Sequence, residues 1–100
     1  MNHSLIQESG GARLRLGGEL DALSCPELRP VVDALAEREN CQVTVDLSEL
    51  RLIDSSGVGV LVSLYKRVRA KGGDVKFEGV TAQPLVIFKL LRLDRVFALA

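Results

Sequence analysis

The chain has no tryptophan, one tyrosine, three phenylalanines, one histidine and two cysteines among its 100 residues. Each scarcity excludes a chemistry. His3 is the only histidine and lies in a segment expected to fray, so a Ser-His-Asp or Cys-His apparatus has no base. A zinc site needs three or four converging ligands, and beyond His3 the chain offers only Cys25 and Cys41, so no metal is expected. No glycine-rich loop ends in Gly-Lys-Ser, and Gly57-Val58-Gly59 lacks the spacing of a phosphate-binding loop. The serines precede both of these glycines instead of standing between them, as a hydrolase elbow requires. The expectation is a protein that is not an enzyme and needs no cofactor.

Charge of one sign is also lacking. Thirteen Lys+Arg balance thirteen Asp+Glu. Sequence-independent nucleic-acid binding draws on surplus positive charge to displace counterions, so no nucleic-acid partner is expected. Apolar runs such as Leu85-Val86-Ile87-Phe88 fall far short of the roughly 20 residues that span a bilayer, and no membrane insertion is expected. Met1-Asn2-His3-Ser4 lacks the basic and apolar regions of a secretory signal, which makes the cytoplasm the expected location. Cys25 and Cys41 stand sixteen residues apart at opposite ends of a predicted helix. That places their Cα atoms roughly 20 Å apart, beyond disulfide reach, and predicts two reduced thiols.

What is present reads as one domain over residues 1–100, with apolar and charged fractions of 47% and 26%. Leu5 to Glu8 is a strand candidate, and Ser9-Gly10-Gly11 a hairpin turn. Ala12, Leu14 and Leu16 alternate with Arg13 and Arg15, a strand with one buried and one wet face, which Gly17-Gly18 ends. From Ser24 to about Arg38, Leu28, Val31, Val32 and Leu35 form a helical stripe, with Ser24 and Glu27 at capping-box spacing and Pro30 awkwardly inside. Val43, Val45 and Leu47 make a strand, followed by a loop through Leu52 and Ile53. A helix from Val58 to Lys71 buries Leu61, Leu64, Tyr65 and Val68 and stops at Gly72-Gly73. Val75 and Phe77 predict another strand, Thr81 can cap a third helix through Pro84, Leu85, Phe88 and Leu91, and Val96 to Leu99 suggest a last strand. The order ββαβαβαβ implies an α/β or α+β layer with an N-terminal hairpin and parallel pairing beyond it.

One corner carries chemistry. Asp54-Ser55-Ser56-Gly57 joins a strand to a helix, placing two hydroxyls at the helix start. A serine there can cap the helix, and a hydroxyl there is also a good place to carry a phosphate, because helix amides and dipole favour negative charge. The readings are compatible: one serine, Ser56 the better suited, can cap while its neighbour is modified, with Gly57 keeping the approach open, and position by itself does not single out Ser55. Glu19 and Asp21 follow a strand, and two readings stand for them: acidic contacts on the same rim, or a turn held by local hydrogen bonds. Arg13 and Arg15 read as a solvated strand face, and Tyr65 and Phe88 as core.

These residues resemble a known family. Gly18-Glu19-Leu20-Asp21, Asp46-Leu47-Ser48, Ile53-Asp54-Ser55-Ser56-Gly57-Val58-Gly59-Val60 and Gly72-Gly73 stand in the order and spacing of STAS domains of the anti-sigma factor antagonist group. The resemblance implies a STAS fold, a mixed sheet of four or five strands packed with three or more helices. It also implies partner switching. The unphosphorylated domain would bind a GHKL-type serine kinase that doubles as an anti-sigma factor, releasing what the kinase held. Phosphorylation on Ser55 would abolish binding, and a PP2C-like phosphatase would reverse it. Glu19, Asp21, Asp54, Ser56 and Gly57 are the matching candidates for partner contact, and nothing demands more than a monomer when free. Arg92-Leu93-Asp94 departs from the turn the family often carries near its C-terminus. Two alternatives share the fold: an accessory subunit docking on a lipid-transport ABC ATPase, and a module sensing GTP or ATP, for which no base-stacking aromatic or phosphate loop argues.

Overall fold

The computed structural model describes residues 1–99. Its elements run β1 (Asn2–Glu8), β2 (Gly11–Leu20), α1 (Cys25–Ala36), β3 (Gln42–Ile53), α2 (Ser55–Ala70), β4 (Asp74–Glu78), α3 (Ala82–Leu90) and α4 (Leu93–Val96). The four strands lie in the order β1-β2-β3-β4, with β1–β2 antiparallel and both β2–β3 and β3–β4 parallel. This is a mixed sheet in an α+β layer, as expected.

The alternation in β2 does what its period requires. Ala12, Leu14 and Leu16 are buried, as are Val43, Val45 and Leu47 beside them on β3. Leu28, Val32 and Leu35 of α1 and Leu61, Leu64 and Val68 of α2 close over them. Each such side chain contributes roughly 1.5–3 kcal/mol when taken fully out of water. On the opposite sheet face Arg13 pairs with Glu8 at 3.5 Å and Glu78 at 3.0 Å, and Arg15 with Asp46 at 3.3 Å. Both arginines therefore belong to a wet, ion-paired surface. Cys25 and Cys41 are buried free thiols.

Several local expectations are corrected. The first strand starts at Asn2 instead of Leu5, because Asn2 to Glu8 pair fully with Gly17 to Gly11, and His3 is held within it. Gly17-Gly18 does not end β2. The strand continues to Leu20, with Gly18 at φ +82°. Nor is Leu52–Ile53 a loop, since β3 runs to Ile53. Beyond the Arg15–Asp46 pair, β2 takes five steps to Leu20 while β3 takes seven to Ile53, so β3 carries two extra residues in bulges. Bulges bend a strand and change which side chains face inward. The buried positions accordingly shift from a spacing of two to Leu50 and Ile53, a rhythm that no longer reads as a strand in the sequence.

α1 begins at Cys25 and runs through Pro30. The carbonyl that the proline ring displaces belongs to Pro26, in the first turn, where a distortion costs least. α2 ends as its glycines predict: Gly72 has φ +85°, its amide donates to the Arg69 carbonyl, and the Gly73 amide donates to that of Val68.

The last strand does not exist among the described residues. Leu93–Val96 is a helical turn entered through Arg92 at φ +59°, and the order becomes ββαβαβαα. The Phe97 amide donates to the Leu93 carbonyl and the Leu99 amide to that of Asp94, so local bonds satisfy the backbone that a ladder would otherwise need. The side chain of Phe97 explains the preference. It stacks on Phe77 at 4.1 Å and meets Phe88 edge-on at 5.5 Å, filling the end of the core. Tyr65, 5.1 Å from Phe97, donates its hydroxyl to the Val96 carbonyl.

Candidate functional site

The sheet delivers the Asp54-Ser55 corner through Leu20 and Ile53, the last pair of the β2–β3 ladder, and the Asp54 amide then donates to the Leu20 carbonyl. Asp54 has extended backbone and is the N-cap of α2, its Oδ1 accepting from the Gly57 amide at 3.0 Å. Neither serine caps the helix, which corrects the structural role expected of Ser56. Asp54 stands one residue earlier and its carboxylate is the better acceptor for an amide three residues on. Its Oδ2 accepts from the Ala22 amide at 3.1 Å. One carboxylate thus ties the start of α2 to the β2–α1 loop.

That loop is held from within. Asp21 turns its Oδ1 onto the amides of Leu23, at 3.1 Å, and Ser24, at 3.0 Å. These bonds, the Ser24 amide first, keep its carboxyl below the ordinary aspartate range. Ser24 accepts from the Asp21 amide at 2.9 Å and donates to the Glu19 carbonyl at 3.0 Å, so the expected capping box with Glu27 is not made. Of the two readings of the acidic rim, Asp21 takes the turn role. Glu19 remains on the exposed rim, 3.9 Å from Arg51.

Gly57 is buried and does not keep the approach to the hydroxyls open. A Cβ there would meet the Leu20 carbonyl oxygen at 2.6 Å and Ile53 Cγ1 at 2.8 Å. The glycine lets the first turn of α2 press on the strand ends. Ser55 is exposed, Ser56 half-buried, and neither hydroxyl has a hydrogen-bond partner among the described residues. Both line a cleft of about 340 Å³ between α1 and α2, with Gly59 and Ser63 further along α2 and Arg29 on α1. At the lower end of the cleft Arg67 pairs with Asp33 at 2.8 Å. Cys25 stands nearby, but burial, reinforced by the charge of Asp54, pushes its thiol up, away from the thiolate a nucleophile needs.

Three features have no signature in local spacing. Leu23 is 92% exposed at the tip of the loop that Asp54 fastens. Gln83 of α3 accepts from the Ile53 amide at 2.9 Å and donates to the Ile53 carbonyl at 3.0 Å, clamping the residue before the corner. Arg29 shares a cleft with the serines only because α1 packs on α2. A solvent-facing leucine at a turn is the one signal a sequence reading had available.

A family model described as Mlab, STAS domain, matches residues 4–99. The chain belongs to the STAS domain family. A relative of this STAS domain, the anti-sigma-B factor antagonist of Bacillus subtilis (strain 168), is 28% identical over 96 residues, covering 96% of this chain and 87% of that protein. Among solved structures, an anti-sigma factor antagonist from Mycobacterium paratuberculosis superposes with a TM-score of 0.78 at 22% identity, covering 96% of this chain and 81% of its own. The phosphorylated form of the Bacillus cell fate determinant SpoIIAA gives 0.77 at 20%, covering 94% and 86%. At these identities the structural likeness speaks for the STAS fold. No helix among the described residues is long and apolar enough to cross a membrane.

Proposed function

We infer that the protein is an anti-sigma factor antagonist working by partner switching in the cytoplasm, without enzymatic activity of its own. Its unphosphorylated form binds a GHKL-type serine kinase that is also an anti-sigma factor, and phosphorylation of Ser55 ends the binding. The observation that carries this reading is the contrast at the corner. Asp54, Gly57, Asp21 and Ser24 are all engaged in holding the backbone, while the exposed Ser55 hydroxyl beside them has no partner. In the transfer, Ser55 Oγ loses its proton and takes the γ-phosphoryl of ATP, and ADP leaves. A PP2C-like phosphatase hydrolyses the ester to restore the hydroxyl.

The rim supports a docking role. Leu23 offers an exposed apolar side chain, Glu19 an exposed carboxylate beside Arg51, and Asp54 fastens the loop that carries Leu23 to the start of α2. Asp21, Ser56 and Gly57 shape this surface beside them. A phosphate adds about −1.5 to −2 charges at a spot already holding Asp54. One like-charge contact at 4 Å costs about 1–4 kcal/mol between the dielectric of water and an effective value near 20. That weakens binding roughly fivefold to a thousandfold.

Incubation with a candidate GHKL kinase and ATP is expected to label Ser55. Ser55→Ala should bind the kinase without being labelled, and Ser55→Asp should bind it weakly. Labelling on Ser56, or equal binding by Ser55→Asp, would overturn the assignment. Co-purification with a lipid-transport ABC ATPase and no labelling by any kinase would favour the accessory-subunit reading instead.

A further inference from the structure

The cleft between α1 and α2 has a charge arrangement that the partner-docking reading does not use. Arg67 and Asp33 neutralise one another at its lower end. Arg29 lines the same space and has no ion-pair partner among the described residues, which leaves the cleft one positive charge in excess. Long side chains on a helix lean toward its N-terminus, so from α1 the guanidinium extends toward the level of Cys25. The Asp54 carboxylate accepts from the Ala22 amide, three residues before Cys25, so α1 and α2 begin at the same level. The level of the cleft facing Arg29 is therefore the one where α2 begins, at Ser55. The wall opposite is mostly small residues, Ser55, Ser56, Gly59 and Ser63 with Val60 among them, and a Cβ added at Gly59 would meet nothing within 4 Å. The space suits a tetrahedral anion: one cation on one side, hydroxyls on the other and no bulk between.

We propose that this cleft receives the phosphoryl group of phosphorylated Ser55, with Arg29 as its counter-ion and the Ser56 hydroxyl as a donor. The inference rests on Ser55 being the modified residue and adds where the phosphate goes. The group leans off the docking rim and bridges α2 to α1, so the switched-off form is a defined structure and not merely a charged one. The other charges facing the phosphate are Asp54, from the residue before α2, and the Asp33–Arg67 pair. Asp54 opposes capture and the pair is neutral, which leaves the attraction to Arg29.

The test uses the full chain with phosphoserine installed genetically at position 55, so that it does not depend on any kinase. The second ionisation of the phosphate is followed by phosphorus NMR against pH. A guanidinium at an exposed ion-pair distance lowers that ionisation by about half a unit. Arg29→Gln should raise it by that amount. Arg38→Gln, which removes the same charge from beyond the far end of α1, should leave it where it was. Gly59→Leu, which grows a side chain into the cleft, should raise it as Arg29→Gln does. Equal titration in the parent and Arg29→Gln proteins, or an equal shift from Arg38→Gln, would overturn the proposal. Failure of kinase labelling in the separate assay would instead count against Ser55 as the natural phosphorylation site.

Discussion

Gly57 and Gly59 stand two residues apart on the same helix, and the structure assigns opposite signs to the same substitution. In Gly57→Ala the new methyl would lie 2.6 Å from the Leu20 carbonyl oxygen, 2.8 Å from Ile53 Cγ1 and 2.9 Å from Leu20 Cγ. The first of these is backbone held in the β2–β3 ladder, so α2 has to move instead. Overpacking of this kind costs about 1–3 kcal/mol. Helix propensity returns up to about 1 kcal/mol for replacing glycine by alanine. Moving α2 also strains the bond from the Gly57 amide to Asp54. The expected net loss is about 1–2 kcal/mol. For Gly59→Ala no atom lies within 4 Å of the new carbon, and only the propensity gain of about 0.5–1 kcal/mol remains. In a domain of this size 1 kcal/mol moves Tm by roughly 4–8 °C. Thermal unfolding followed by circular dichroism should therefore separate the two variants by about 6–24 °C, on either side of the parent. If Gly57→Ala melted at or above the parent temperature, the close approach of α2 to the strand ends would not be what requires glycine there.

Asp54→Ala removes the cap of α2 and the tie to Ala22. It should cost about 0.5–2 kcal/mol in urea unfolding and speed amide exchange at Gly57 and Ala22 together. Faster exchange at only one of them would mean the carboxylate does not couple the two segments. Phe88 is fully buried between Phe77 and Phe97, so Phe88→Ala should lose roughly 3–5 kcal/mol, read as a shift of the urea midpoint. The carboxyl of Asp21 titrates below its unfolded value because amides bond its charged form, so its stabilisation is present above about pH 4 and lost as pH falls through the folded value. The stability gap between the parent and Asp21→Asn should narrow on acidification, and a gap independent of pH from neutral to about 2 would contradict that origin.

Much of the fold was legible because its signals are short-range. Ala12, Leu14 and Leu16 announce a half-buried strand within five residues, and Gly72-Gly73 announces a helix end within two. What was missed depends on partners distant in sequence. The eight-residue run of β3 from Asp46 to Ile53 is a strand only because β2 lies beside it with fewer residues. Val96 to Leu99 have strand-like composition, but Phe97 finds Phe77 and Phe88 from a helical turn. At the site, Ser24 and Glu27 have the spacing of a capping box, yet Ser24 is already occupied by the backbone of Asp21 and Glu19.

The amino-acid sequence by itself determined the strand and helix periods, the neutral charge balance and the placement of Asp54-Ser55-Ser56-Gly57 where a strand passes into a helix. Those follow from rules that act over a few residues. Only the tertiary structure decided that Asp54 caps that helix, that Gly57 is needed for packing, that Asp21 holds a turn, and that Arg29 lines one cleft with the serines. Gly57 against Leu20, and Arg29 in one cleft with the serines, join segments tens of residues apart, a matter of distance in space that local spacing does not encode. Asp54 and Asp21 bond amides two or three residues on, but several residues nearby could have done so, and spacing alone does not name the winner.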